Sequence, residues 1–560
     1  MEALLEPLLT HPGDPATLRV LSDALLELND PWGEAIRLSL DLERTFRGQE
    51  AHRLGHRRLT RLQQRYGSQW RRRVQSKSPL APHAGFFRAI PSRLHLTDNQ
   101  LATLADAPVA ALSCSGAPAL AEWPGRASLV ELELTDTAQS DAVTVLSSGL
   151  DSLTALSLPW KGDVTLELLA DAKCTPQLER LRLQAAGALL SPPQLDRLMK
   201  LPLGKLKNLE LIGLELGQPG AERLAAMPWS LERLTLAGAN LGVKGTVALA
   251  AGKALASLRE LTLRPNTMGP TGATALATSP HLEQLVSLDL NSTASGGKAL
   301  LAFFEALGLP ELRALRLASC GLKGKLLGPI AAVKSKALAR LTELDLSGNL
   351  MGDDGLTALV KSKAFTHLRV LDLTGNALKG PGVVALGKSA LLAPVEELRL
   401  AHNKFQNTGA KGLAASKNVK SLKVLTLGHN WMGVQGLDAL LDNPALTNLE
   451  ELQEGMNNDG AQLLRSFAAS QTLKLWSLVA GPDTTTVALE ELFVAPRAGT
   501  LELLTLSCRA FDDALAEALV KGPLGKSGTT VSISRIWCNA LTDEGVKKLT
   551  TALGSRVSLD

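Results

Sequence analysis

LTELDLSGN (341–349), LRVLDLTGN (368–376), VEELRLAHN (395–403) and LKVLTLGHN (422–430) follow one another at a constant step of 27 residues. Apolar residues hold the first, fourth and sixth places of each, and Asn349, Asn376, Asn403 and Asn430 hold the ninth. A self-copying unit of this length cannot close a core alone. It buries its apolar side against the next copy, which defines a solenoid. Within LTELDL the alternation has the period of a half-buried strand: Leu341, Leu344 and Leu346 point inward, Glu343, Asp345 and Ser347 outward. The Asn sits where the chain leaves the strand, and its amide can satisfy turn backbone groups that no ladder reaches. Gly355 follows Asn349 by six residues and Leu359 comes four later, a spacing repeated at Gly272, Gly382, Gly409, Gly436 and Gly545. That spacing predicts a short helix with its Leu turned inward. Strand, turn and helix in so few residues predict a right-handed coil with parallel strands on one side. Helices are wider than strands, so the expectation is an α/β solenoid curved as a horseshoe, strands concave and helices convex.

The same template extends outward in both directions. Units begin at Val109, Leu129, Leu153, Leu178, Leu206, Leu231, Leu258, Leu285 and Leu312, pass through the clean block, and continue at Leu449, Leu475, Leu501 and Val531. This gives about 17 units over 109–560. Early ninth places hold Ala117, Thr137, Lys161, Ala186, Leu214 and Ala239; Asn266 is the first Asn, and Asn457 and Asn539 fall at the ninth place later. All seven Asn are assigned a structural role. Glu454 and Ala480 stand where inward Leu belongs, so 449–485 is read as irregular. The helix GVKKLTTAL and a last strand at Val557 and Leu559 are expected to cap the array over 545–560.

The LxxLxLxxN strings and the Gly-xxx-Leu helices resemble the ribonuclease-inhibitor-like class of leucine-rich repeats. The resemblance covers Val109 to Asp560. Eukaryotic members of that class include ribonuclease inhibitor and the Ran GTPase-activating protein. The resemblance implies a recognition scaffold and supplies no catalytic residue.

Residues 1–80 read differently. Leu4, Leu5, Leu8 and Leu9 form one helical face, and Leu18, Leu21, Leu25 and Leu28 a second. Asp14-Pro15 and Asp30-Pro31 look like helix starts. Further helices are expected from Trp32 to Phe46 and from Glu50 to Val74, and 81–108 is read as a connector. The string from Val20 to Glu43 resembles the repeat-companion domain that precedes bacterial repeat arrays. The matching residues are Asp23, Leu25, Glu27, Asp30, Pro31, Gly33, Glu34, Ile36, Arg37 and Leu38, with RLQQRYGSQW (61–70) and GFFRAI (85–90) beyond. Ala24 and Asn29 depart from the family's usual Trp and Gly. The resemblance implies a small all-α leader to a bacterial repeat array, and no reaction.

The composition fits stacked aliphatic layers: 45% hydrophobic residues, but only 3% aromatic. The formal charge of +4 hides an asymmetry, because Arg44 to Arg93 holds thirteen Lys and Arg against the single acid Glu50. Five scattered cysteines without a CxxC argue against a disulfide framework or a zinc site and point to a reducing compartment. No signal peptide or membrane span is read from the sequence, so the expectation is a cytoplasmic monomer.

Chemistry is scarce. GPLGKSGTT (522–530) has Val520 where a phosphate loop needs its first Gly, and it follows a helical pattern rather than a strand. The nine His show no metal spacing, though His402 and His429 occupy equivalent places in adjacent repeats. The sequence implies no enzyme, cofactor or metal. The main reading is a non-enzymatic scaffold whose concave face binds an unidentified protein partner. The residues proposed for contact are Trp160, Arg182, Arg264, Asp289, Arg316, Glu343, Asp345, Asp372, Glu397, Arg399 and Trp431. One alternative is nucleic acid or another polyanion held by the helix 53–73 through Arg57, Arg61 and Arg65. Another is regulation of a partner enzyme, as in GTPase-activating leucine-rich-repeat proteins.

Overall fold

The computed structural model describes residues 15–27, 30–42, 44–47, 49–75, 94–96, 111–114, 120, 122, 126, 129–135, 139–147, 149–293, 296–333, 335–453, 460–469, 475–481 and 484–559. Leu4, Leu5, Leu8, Leu9, Asp14, Leu28, Asn29, the stretch 85–90, Val109, Ala117, Thr137, Glu454 and Asn457 lie outside the described residues. The chain divides into two units, Met1–Leu315 and Arg316–Asp560.

The first unit opens with three helices, α1 (Pro15–Glu27), α2 (Pro31–Leu42) and α3 (Glu50–Gln75). Leu18, Leu21, Leu25, Trp32, Ala35, Ile36, Leu40 and Leu62 form their shared core. Arg58 grips Glu34 bidentately at 2.6 and 2.7 Å, and Ser22 Oγ donates to Gly33 O at 2.7 Å, tying the helices together. Helix α2 stops at Leu42, four residues short of the expected Phe46. The reason lies in the next residues: Thr45, Phe46 and Arg47 turn away to reach the strands. Beyond α3 come β1 (Leu94–Leu96), β2 (Ala111–Cys114), β3 (Glu131–Leu134), β4 (Ala155–Pro159), β5 (Arg180–Leu189), β6 (Asn208–Glu215), β7 (Arg233–Ala237), β8 (Glu260–Thr262) and β9 (Ser287–Asp289). They pair in chain order, all parallel. β10 (Ala314–Arg316) spans the unit boundary.

In the second unit β11 (Glu343–Asp345), β12 (Val370–Asp372), β13 (Glu397–Arg399), β14 (Val424–Thr426) and β15 (Glu451–Gln453) continue the pattern. A separate parallel sheet holds β16 (Ser477–Ala480), β17 (Leu503–Leu506), β18 (Thr530–Ile533) and β19 (Val557–Leu559). The fold is thus an α/β solenoid of parallel strands and short helices, as the spacing predicts. The strands of the clean block are three residues long and pair the third, fourth and fifth places of each unit in register. Leu341, Leu344 and Leu346 are buried, as are their copies one unit on. Each fully buried Leu contributes roughly 1.5–3 kcal/mol. The helices lie close together: a Cβ on Gly412 would stand 2.6 Å from Val384 Cγ2 in the helix one unit earlier.

The turn after each strand of the clean block is closed by its Asn. Asn403 Oδ1 accepts from Asn376 N (2.9 Å) and Leu378 N (3.0 Å), while Nδ2 donates to Leu373 O (3.0 Å) and Leu400 O (2.9 Å). Asn349, Asn376 and Asn430 repeat this, so each Asn backbone N–H from 349 to 403 donates to the next Asn side chain. Asn266 is a shorter version, accepting from Leu241 N and donating to Leu236 O.

Asn539 breaks the expectation. Pairing sets Val531 opposite Leu504, the fourth place of its unit rather than the first. Asn539 is exposed, and Cys538 is the buried residue whose thiol donates to Leu506 O at 3.3 Å. Cys508 is buried just beyond the end of β17.

Candidate functional site

Every strand of the array presents an outward row. In the first unit the row runs Arg182, Glu210, Thr235, Thr262, Asp289; in the second it runs Asp345, Asp372, Arg399, Thr426, Gln453. Neighbouring strands of a sheet lie about 4.8 Å apart, so a long cation on one strand reaches a carboxylate on the next. Arg182 meets Glu210 at 3.7 Å, and Arg264 meets Asp289 at 3.7 Å. Arg316 donates twice to Glu343 Oε1, at 2.9 and 2.6 Å. Arg399 bridges Asp372 (3.5 Å) and Glu397 (3.3 Å).

These pairs are unequal in exposure. The Arg264 side chain is 54% exposed against 8% for Asp289, and Arg399 is 43% against 15% for Asp372. The carboxylates are sunk and further held by the chain. Asp289, Asp345 and Asp372 each accept a backbone N–H two residues on, from Asn291, Ser347 and Thr374 at 2.9–3.0 Å. The guanidinium groups lie over them with donors still facing water. Burial pushes the Asp372 carboxyl above its ordinary range. The Thr374 hydrogen bonds and Arg399 pull it partly back, while Asp345 pushes it further up. Among exposed ion pairs such contacts contribute little to stability; here their effect is to fix where each Arg points.

The stability consequence has a definite sign. A carboxyl whose folded pKa is raised costs nothing below its unfolded value near 4. The cost grows as pH rises through the folded pKa and is complete above it. Asp372→Asn is expected to raise the unfolding midpoint near pH 7. Its advantage over the native chain should shrink steadily as pH falls toward 4, as followed by thermal denaturation across that range.

Two sequence candidates change character. Trp160 is buried, and its indole Nε1 donates to Leu189 O at 3.4 Å, so it packs the turn after β4 instead of offering a contact. Trp431 is 56% exposed but stands on the turn after β14, off the strand row. Lys404 lies over its ring at 5.4 Å, and beside it His402 and His429 stack at 4.1 Å. Among the described residues no group of three or more His, Cys, Asp or Glu is placed to hold a metal.

Arg57, Arg61 and Arg65 lie along α3 and are each half-buried. Arg65 also stacks over Tyr66 at 4.9 Å. They are engaged within the protein and do not form an open cationic stripe. Two of the thiols are poor nucleophiles: burial pushes Cys174 up to about 11, and Cys508 is raised by its bond to Cys538 and by burial, while that same bond holds the Cys538 thiol down.

Sequence reasoning missed one contact. Phe46 lies under Arg233 at 4.6 Å and Arg259 at 5.9 Å, and Arg233 donates to Thr45 O at 3.0 Å. The Arg47 N–H donates to Glu260 Oε1 at 2.9 Å. The one available signal was a lone Phe within a strongly basic polar turn.

With this geometry in hand, three stretches match the family described as Leucine Rich repeat: residues 340–360, 366–387 and 393–414. Among curated proteins none matches the chain. Solved structures similar to it include the plant peptide hormone receptor RGFR1 in complex with RGF2. That match has 13% identity and a TM-score of 0.33, covering 78% of this chain and 72% of that one. An internalin (inlF) from Listeria monocytogenes matches at 14% identity and a TM-score of 0.29, over 64% and 88% of the two chains. The Toll–Spatzle complex of Drosophila matches at 15% identity and a TM-score of 0.36, over 76% of this chain and 57% of that one. Among the described residues no helix is long and apolar enough to cross a membrane.

Proposed function

We propose that this protein is a non-enzymatic scaffold that recognises a protein partner through its strand face. The observation that carries this reading is the layered charge at Arg264 and Arg399, where the sunken carboxylates of Asp289, Asp372 and Glu397 hold exposed guanidinium groups in fixed directions. Ordered side chains lose less entropy on binding, and Arg supplies several donors from one plane. The complementary partner carries carboxylates and open carbonyls over a broad surface. A small apolar ligand is not served by the charged and polar side chains of this outward row. In this reading 1–80 is the helical companion domain, 81–108 a connector and 109–560 the array, of ribonuclease-inhibitor-like type. Four buried free thiols support a cytoplasmic, reducing setting.

The test is affinity capture with the full chain against Arg182→Ala, Arg264→Ala and Arg399→Ala. Partner binding is expected to weaken by about tenfold or more per central Arg, with circular dichroism unchanged. Capture that is indifferent to all three would overturn the strand-face reading. Steep salt dependence combined with sensitivity to Arg57, Arg61 and Arg65 would favour a polyanion instead.

A further inference from the structure

Four residues off the strand row make an exposed patch on the turns that leave β13 and β14. His402 and His429 hold the eighth place of their units, and Lys404 and Trp431 hold the tenth. The two imidazoles stack at 4.1 Å with their planes 14° apart, and the Lys404 ammonium lies 5.4 Å from the centre of the Trp431 ring. All four side chains are exposed. Between the two pairs run the buried Asn403 and Asn430, so both pairs stand on the ladder that closes these turns. Over 401–406 and 428–433 the sequence carries these three bases and no carboxylate.

Two observations set the patch apart from ordinary surface. The first lies in the backbone. The eighth place is left-handed throughout the clean block: Gly348 and Gly375 take φ +68° and +67°, and each donates its N–H to the next turn as His402 does to Gly428 O. His402 and His429 take φ +56° and +58°, a conformation that a Cβ disfavours. The last two units of the block thus hold imidazoles at a place that suits glycine better, and such residues concentrate where function needs them. The second observation concerns the tryptophans. Trp32, Trp160, Trp229 and Trp476 are buried; among those whose side chains are described, Trp431 and Trp537 are exposed. Both stand on turns that leave a strand. Each lies under a basic side chain from the turn one unit earlier, Lys404 for Trp431 and Arg509, at 5.8 Å, for Trp537. An exposed indole steadied by a cation is an anchor of the kind that dominates protein interfaces.

We propose that the His402–Lys404–His429–Trp431 edge is a docking site for a protein segment that sets a carboxylate beside an apolar side chain. Each imidazole carries an N–H donor, and rings stacked at 4.1 Å bring their donors close enough to share one carboxylate. Lys404 adds positive charge with no acid on these turns to cancel it, which selects an acidic segment. The Trp431 ring takes the apolar neighbour. The site uses none of Arg182, Arg264 and Arg399, and it does not rest on the strand-face reading.

The test uses the full chain and short random peptides displayed on phage. The library is first depleted on the Lys404→Glu, Trp431→Ala double variant, which removes peptides bound elsewhere, and is then selected on wild type. The expected result is an enriched family with Asp or Glu next to Leu, Phe or Trp. A synthetic member should bind wild type in fluorescence anisotropy and lose about tenfold or more in affinity with Trp431→Ala or Lys404→Glu alone. His402→Phe with His429→Phe keeps two rings and removes their N–H groups, and it should weaken binding as well. Circular dichroism and melting should match wild type, because all four side chains are exposed. Should Trp431→Ala melt early, Lys404→Glu carries the depletion and the comparison by itself. Three outcomes would overturn the proposal. Selection that enriches no family means the edge is not a docking site. A family without acidic residues means the bases do not choose the partner. A wild-type dimer in light scattering that Trp431→Ala dissolves means the patch receives a second copy of this chain. Each failure leaves the strand-face reading standing, because depletion has already removed the peptides that bind the outward row.

Discussion

Asn403→Ala is expected to be among the most damaging single changes in the repeats, although Ala is small and the fold is full of it. The side chain is buried and every polar atom on it is used. Its Oδ1 takes the N–H of Asn376 and of Leu378, and its Nδ2 serves Leu373 O, Leu400 O and Ala401 O. Ala removes the acceptor and strands two buried donors. Each buried donor left unmade costs about 1–3 kcal/mol, so the loss is about 2–6 kcal/mol before the carbonyls are counted. Asn403→Asp should be no milder. It keeps the acceptor, but it brings a second oxygen against three carbonyls. The damage should also travel along the chain, because stability in a solenoid is nearest-neighbour in character. Native-state hydrogen exchange is the direct measurement. Protection should fall first at Asn376 and Leu378, then at Asn349 and Leu427, while β17 and β18 keep theirs. Full protection at Asn376 in the variant would mean that the turn finds another acceptor and the ladder is not what closes it.

The ladder was legible in the sequence because its signal is periodic. A polar residue recurring at one fixed distance from three Leu can only be serving the backbone, and the step of 27 places each copy beside the last. The same logic failed at Asn539. The turn there is two residues longer than in the clean block: the Cys538 thiol reaches back 32 residues to Leu506 O, where Asn376 reaches back 30 to Leu346 O. The template also starts that unit three residues late, and the two offsets together make it name the residue after the right one. Trp160 shows a different limit. Its spacing puts it at the strand end, but whether an indole there faces water or folds under depends on a carbonyl, Leu189 O, in the following unit. The charge row was legible as a list of residues. That carboxylates sink and guanidinium groups ride above them was not, since side-chain length and crowding across strands decide it. Least legible was the Phe46 turn, whose partners are about two hundred residues away and share no period with it.

The early units carry no Asn at the ninth place until Asn266, and they solve the turn by another means that a second substitution exposes. β5 and β6 run 10 and 8 residues, against three in the clean block. Their register shifts between Gln184 and Ala188, where the chain bulges. Gly213 faces that bulge at φ +63°, and a Cβ built there would stand 2.0 Å from Ala185 O. Two penalties therefore meet at one residue. The left-handed backbone costs a non-glycine residue roughly 1–2 kcal/mol. The contact with a backbone carbonyl cannot be relieved by turning a side chain, so the bulge itself must open. Gly213→Ala is expected to destabilise this region by about 3 kcal/mol or more. Gly204→Ala makes the comparison, because it has no positive φ and nothing within 4 Å of the new Cβ. That change should be neutral or stabilise by up to about 1 kcal/mol through the unfolded chain. Denaturant melts of the two variants should separate in opposite directions from wild type. Exchange in Gly213→Ala should quicken across β5 and β6, whose amides are bonded through the bulge, and not in the repeats from β11 to β14. If Gly213→Ala melts with wild type, the bulge is soft, and the long strands of the early units are held by their leucines alone.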